Sequence, residues 1–302
     1  MNSKHSTAIK HSSSDRIYYF FNYVLLGVIL IIVAYPIILV VSSSISNPDA
    51  VTRGEVKFWP VGFSLEGYKA VFKDPMIITG YLNSLYYLVV GTSVNILMTI
   101  LAAYPLSRKD LVGRRPLLFI FSFTMFFSGG LIPSYLLVNQ LGLYNSPLAI
   151  IIPSAMSVYQ VIVMRTFFQT TIPGELLESA QIDGCTNFSF LWRVVIPLSG
   201  PIIAVTALFY GVANWNSYFN ALIYLNDTSL YPLQLVLRQI LVMNDVSFEM
   251  LAQDPAAMQV KLQLIELIKY AVIVVSNIPL VIAYPFVQKY FVKGVMIGSL
   301  KG

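Results

Sequence analysis

Apolar residues in this chain do not alternate, nor do they trace the narrow stripe of a surface helix. They run nearly unbroken for twenty or more positions, and polar residues gather between the runs. Six such runs occur, at approximately 17–44, 81–104, 117–138, 147–168, 196–224 and 264–288. A helix needs about 20 apolar residues to cross a hydrocarbon layer. Inside that layer the backbone must bond to itself, so each run predicts a membrane-spanning helix. Pro36, Pro133, Pro153, Pro279 and Pro285 fall inside the runs and predict kinks, because each removes a ladder hydrogen bond.

Composition agrees with the pattern. Of 302 residues, 57% are hydrophobic and 11% charged, against about 25% charged in soluble domains. The predicted class is an all-α integral membrane protein with six transmembrane helices. A polar, Ser-rich tail occupies 1–16 and a single transmembrane domain 17–302. The tail holds both histidines, His5 and His11, too few for a metal site that needs three or four ligands. Cys185 is the single cysteine, which excludes an internal disulfide. The first run is too long for a signal-peptide core and lacks a small-x-small cleavage site, so it reads as a retained span.

Net charge adds orientation. Six spans place both termini on one side, and 12 of the 19 Lys and Arg fall on that side, seven on the other. The bias is strongest in the short 105–116 loop, which contains RKDLVGRR. The positive-inside rule then predicts cytoplasmic termini. The connections 45–80 and 225–263 fall outside, and each is long enough for a functional loop. The charge does not cluster on a soluble face, so nucleic acid is not an expected partner.

The chain lacks the signatures of catalysis. It has no G-x-x-x-x-G-K-[ST] phosphate loop, no H-E-x-x-H, no G-x-S-x-G and no Cys/His cluster. No catalytic residue, metal site or cofactor is expected in it. FSGGL at 127–131 lies mid-span and predicts close helix packing through Gly129 and Gly130. No carboxylate lies deep in a span, as an ion-coupled carrier would often require. Glu266 and Lys269, three apart, are expected to pair on one helix face.

The most informative polar stretch is PGELLESAQIDGCTNFSFLWRVVIPLSGP, residues 173–201. Pro173 and Glu175 suit a helix start, and Gly184 suits a stop. A second short helix, capped by Thr186 or Asn187, follows towards Pro197. Amphipathic helices that lie on lipid usually carry Lys and Arg, whereas this one carries acids, which fits a protein socket better. The spacing resembles the EAA loop of ATP-binding-cassette (ABC) importer permeases: Glu178-Ser179-Ala180, three residues, Gly184, nine residues, then Val194-Val195-Ile196-Pro197. Ser179 stands where the pattern has Ala, Val194 where it has Ile, and Ile196 where it has Leu.

Further stretches, TGYLNSLYY at 79–87, FFSGGLIPSYLLVNQLGLYNS at 126–146 and QKYFVKGVMIGSLKG at 288–302, resemble the maltose-type carbohydrate permeases. The branch most similar is that of the lipoprotein- or polysaccharide-type oligosaccharide permeases. The resemblance implies a type I ABC importer permease fold with a cytoplasmic coupling helix in the EAA loop, 173–197. Glu178, Ser179, Ala180, Asp183, Gly184 and Pro197 are its expected ATPase-coupling residues. It implies a bacterial inner-membrane heterodimer with a second permease, two ATPase subunits carrying ATP and Mg, an extracytoplasmic solute-binding protein, and surrounding lipid.

Sugars are held by hydrogen bonds and aromatic faces. Asn214, Trp215, Asn216, Tyr218 and Asn220, with Asn83 and Tyr135, are the candidate substrate pathway. Helix-to-helix packing is the competing reading of the same amides. A permease for a non-sugar solute and an ion-coupled secondary transporter are the alternative functions. A membrane enzyme or sensor would require a catalytic cluster or a signalling domain.

Overall fold

The computed structural model describes residues 13–240, 266–285 and 288. The polar tail before residue 13, residues 241–265 of the second long connection and the 289–302 end lie outside the described residues. The described chain is mostly helical, as the apolar runs predict. Among the described residues, three helices are long and apolar enough to cross a membrane: Ser14–Ser44, Pro75–Ser107 and Glu266–Pro285. Two bent pairs raise the number to five if each is one span.

The chain divides into two compact units, one of 1–71 with 251–274 and one of 72–250 with 275–302. In the first, helix α1 (Ser13–Ser44) runs through Pro36, and its apolar window has no residue buried. Its end is tied down by side chains. Ser42 Oγ donates to Phe58 O at 2.9 Å, Ser46 Oγ to Ser42 O at 2.6 Å, and the Ser44 and Tyr68 hydroxyls meet at 2.9 Å. Helix α2 (Pro48–Thr52) is capped by Asn47, whose Oδ1 accepts from Asp49 N at 2.9 Å. Helix α3 (Glu66–Lys73) follows. Glu266 and Lys269 pair at 3.6 Å, as their spacing predicts.

The second unit is built on α4 (Pro75–Ser107). Its start is set by Asp74, whose Oδ1 accepts from Met76 N at 2.8 Å, with Pro75 at the first helical position. The helix therefore begins six residues before the expected 81. A π-turn at Tyr87–Gly91 interrupts it without ending it.

The next three runs break. Helices α5 (Arg114–Phe126) and α6 (Leu131–Gln140) meet at 112°. Gly129 and Gly130 form that break and do not serve close packing: a Cβ on Gly130 would meet nothing within 4 Å, and its φ is +86°. The expected fourth span is α7 (Leu148–Ile151) and α8 (Val158–Thr171), with a non-helical stretch around Pro153 between them. Helix α9 (Gly174–Ile182) leads to α10 (Asn187–Leu198), which meets α11 (Gly200–Trp215) at 82° around Ser199. Helix α12 (Phe219–Tyr224) ends this run, and α13 spans Glu266–Pro285.

Polar side chains hold these pieces together. In hydrocarbon there is no hydrophobic drive between helices, so association relies on close packing and interhelical hydrogen bonds. Asn214 Nδ2 donates to Thr92 Oγ1 at 3.2 Å and to Asn95 Oδ1 at 2.9 Å, and Asn95 Nδ2 donates to Ser154 O at 2.5 Å. The Thr99 and Tyr210 hydroxyls meet at 2.7 Å, and the Tyr210 hydroxyl accepts from Ser157 N at 2.9 Å. The break around Pro153 is thus stitched on both sides by side chains of α4 and α11.

Gly80 shows how tight the packing is. A Cβ there would lie 3.0 Å from Val236 Cγ2 and 3.2 Å from Leu233 Cα, a backbone atom that cannot swing away. Gly80→Leu is expected to destabilise the fold by about 1–3 kcal/mol, the usual cost of overpacking, read as a lowered thermal midpoint of the purified protein.

Candidate functional site

The 173–201 stretch folds as a helix, a tight turn and a second helix. Pro173 has extended backbone at the N-cap of α9, with Glu175 in the first turn. The chain turns at Gly184, where φ is +73°, a left-handed conformation that costs glycine little. Thr186 caps α10, its Oγ1 accepting from Ser189 N at 3.2 Å.

Helix α9 is amphipathic in use as well as in sequence. Leu177, Ala180 and Cys185 pack against a core of Ile100, Ala103, Tyr104, Leu106, Met164, Phe168, Phe190 and Val195. Glu175, Glu178, Ser179 and Asp183 stay exposed, as do Gly184 and Pro197. The helix is rooted on one face in the ends of α4, α8 and α10 and presents acids on the other.

The root contains a charged node. Arg108 follows directly after α4, and its side chain is only 11% exposed. Its guanidinium donates from Nε to Asp110 Oδ1 at 2.8 Å and from Nη2 to Asp110 Oδ2 at 2.5 Å. Nη1 donates to the Tyr104 hydroxyl at 3.1 Å and to Asn187 Oδ1 at 3.0 Å. The forked bond to Asp110 pushes the guanidinium further up, and the same bonds hold the Asp110 carboxyl below its ordinary value near 3.8. A cavity of about 590 Å³ opens beside the node, bordered by Arg108, Lys109, Arg114, Gln169, Glu178 and Gln181 among others.

The pathway candidates divide. Trp215 is 1% exposed, donates from Nε1 to Ser276 O at 2.9 Å and meets the Tyr81 ring edge-on at 5.5 Å. Asn214 is engaged with Thr92 and Asn95 as described. Both pack between helices, and Asn214 also lines a cavity of about 270 Å³. Asn216, Tyr218 and Asn220 border the same cavity, with Ser154, Ser217 and Phe219. Asn83 lies elsewhere, donating to Ser229 O at 2.7 Å and Tyr231 O at 3.0 Å. Tyr135 stacks on Tyr224 at 6.2 Å and meets Tyr144 edge-on at 6.0 Å. The structure therefore groups four of the seven candidates around an open space. Among the described residues, no cluster of His, Cys, Asp and Glu could hold a metal ion.

Comparison with known proteins decides the family. No family model matches the chain. A Bacillus subtilis (strain 168) polygalacturonan/rhamnogalacturonan transport system permease protein, YtcP, is 42% identical over 277 residues, covering 90% of this chain and 94% of its own. Protein LplC of the same strain is 39% identical over 292 residues, covering 97% of each chain. A solved bacterial ABC transporter involved in the import of the acidic polysaccharide alginate superposes with a TM-score of 0.84. That match has 36% identity and covers 93% of this chain and 99% of the solved one.

The chain belongs to the carbohydrate permeases of ABC importers. Permeases of this family are multi-pass membrane transport components that work with a partner permease, ATPases and a solute-binding protein. An ion-coupled carrier is the less supported reading. In the permease, Arg108 is a functional-site neighbour that sequence reasoning treated only as a topology charge. Its contact with Asn187 bridges 79 positions and leaves no local signature.

The node makes a pH prediction. A carboxylate whose folded value is depressed contributes stability above its ordinary range, and this is lost as pH falls through the depressed value. Wild type should melt above Asp110→Asn at pH 7, and the gap should close below about pH 4, checked by thermal melts across that range. With the Asp110 side chain 63% exposed, solvent screening keeps the gap small.

Proposed function

We propose that this six-span permease forms one half of a heterodimer, that its 173–197 loop docks on an ATPase and that its spans carry an acidic oligosaccharide into the cytoplasm. The observation that carries the reading is α9: an exposed acidic face at Glu175 and Glu178 on a helix rooted by Leu177 and Ala180. A helix seated this way can pass a push to α4, α8 and α10 as a rigid body. ATP and Mg are held by the two ATPase subunits, and this chain contributes no catalytic group. ATP binding draws the ATPases together, the two coupling helices follow, and the spans open outward to an extracytoplasmic binding protein.

Both termini and the 173–197 loop face the cytoplasm in this reading, in keeping with the excess of Lys and Arg on that side. The bent pairs α5–α6 and α10–α11, and the broken α7–α8, each count as one span, and the whole of 17–302 is one transmembrane domain. Bends at membrane depth suit a pathway, because irregular backbone there is tolerated where it borders protein or a water-filled space.

The substrate class is drawn from the relatives. One is named for polygalacturonan and rhamnogalacturonan, and the solved neighbour imports alginate. Oligosaccharides bearing uronate carboxylates share that chemistry. Asn216, Tyr218 and Asn220 supply amides and an aromatic face to the cavity they border, the weak and exchangeable contacts a moving sugar needs.

Uptake of a labelled uronate oligosaccharide tests the proposal. Glu178→Arg, which reverses the charge offered to the ATPase, and Gly184→Asp, which strains the turn, should each lower uptake at least tenfold with the permease still in the membrane. Uptake at wild-type level in both would refute the docking role, and wild-type uptake of neutral oligosaccharides alone would refute the uronate class.

A further inference from the structure

We infer that Arg108 is a positioning residue that links the coupling loop to the end of α4, so that movement of the loop is passed to that span. The inference rests on the docking role proposed for 173–197.

The last carbonyls of a helix have no partner within it and must find one elsewhere. At the end of α4 they find α8. Arg165 Nε donates to Leu106 O at 3.0 Å, and Gln169 Nε2 donates to Ser107 O at 3.0 Å. These bonds join α4 to the helix that enters the loop. Arg108 joins it to the helix that leaves the loop, through Nη1 to Asn187 Oδ1 at 3.0 Å, while the Tyr104 hydroxyl reaches Asn187 O at 3.4 Å. Asn187 is the first residue of α10, three positions beyond the Gly184 turn. The elements on both sides of α9 are therefore bonded to one helix end.

Asp110 makes the link stiff. Its two bonds fix the plane of the guanidinium and offset its charge, which leaves Nη1 aimed at Tyr104 and Asn187. A lysine has a single ammonium on a flexible stem and cannot hold this fork and the third contact together. The apolar core beneath positions α9, but apolar contacts are non-directional and allow sliding. The hydrogen-bonded node resists it.

The test uses the complete importer reconstituted in vesicles with its ATPases, partner permease and binding protein. It reads solute moved per ATP hydrolysed, together with the yield of ATPase bound. Arg108→Gln should keep the ATPase bound but lower the ratio about tenfold. Asn187→Ala should do likewise, and the double variant should be no worse than Arg108→Gln alone, because both remove one link. Tyr104→Phe, which keeps the ring in the core and serves if Arg108→Gln does not fold, should lower the ratio two- to threefold, and Arg108→Lys should not restore it.

An unchanged ratio in Arg108→Gln, or in Tyr104→Phe where the former does not fold, would overturn the inference. So would multiplying effects in the double variant. Loss of ATPase binding in Arg108→Gln would overturn it too, since Arg108 would then belong to the docking surface. Glu178→Arg run in parallel separates the two levels: if it binds ATPase and transports normally, the docking role itself has failed, whereas a defective Glu178→Arg beside a normal Arg108→Gln removes only the link.

Discussion

Every backbone amide and carbonyl that enters hydrocarbon must find a partner within the protein, and most of this architecture follows from that demand. Where the chain is helical, the ladder supplies the partners. Where it is not, side chains do. The break between α7 and α8 survives because Asn95 donates to Ser154 O and Tyr210 accepts from Ser157 N. The final carbonyls of α4 are covered by Arg165 and Gln169. A backbone group buried away from water without a partner would cost several kcal/mol, far more than a single interhelical hydrogen bond contributes, on the order of 0.6 kcal/mol. These polar residues are thus better understood as permission for breaks than as adhesive.

The same demand shapes the 173–197 loop. In its proposed docking role, a loop that moves a membrane domain cannot hang from flexible connections. Here α9 is seated by Leu177 and Ala180 in an apolar core, turned by a left-handed glycine, and flanked by bonds that converge on the end of α4. The acids lie on the exposed face, where a partner can meet them. In the proposed docking the energy source sits on another subunit, which accounts for such a surface on this chain.

Much of this was legible in the sequence, and the failures have physical causes. Apolar run length located the helical segments, and the polar 173–201 stretch marked the helix, turn and helix found there. Run length does not see breaks. Gly129 and Gly130 looked like packing residues because a mid-span glycine pair suits close approach, yet they form a 112° bend with open space around Gly130. Prolines were ambiguous in the same way: Pro153 lies in a break, while Pro36 sits inside a continuous helix. The early start of α4 was written in Asp74-Pro75, a cap signal weaker than hydropathy but decisive for the boundary. The pathway amides could not be sorted from sequence, since Asn214 and Asn216 differ only in which neighbour the fold brings. The Arg108 node was out of reach, because its partners are assembled by tertiary structure.

The central claim is that α9 meets an ATPase on the cytoplasmic side, and site-specific photo-cross-linking from position 178 in native membranes addresses it most directly. The account predicts one dominant adduct, between this chain and the ATPase subunit, absent when the ATPase is removed and altered when ATP is bound. An adduct with the extracytoplasmic binding protein, or with lipid alone while the importer is assembled, would contradict it.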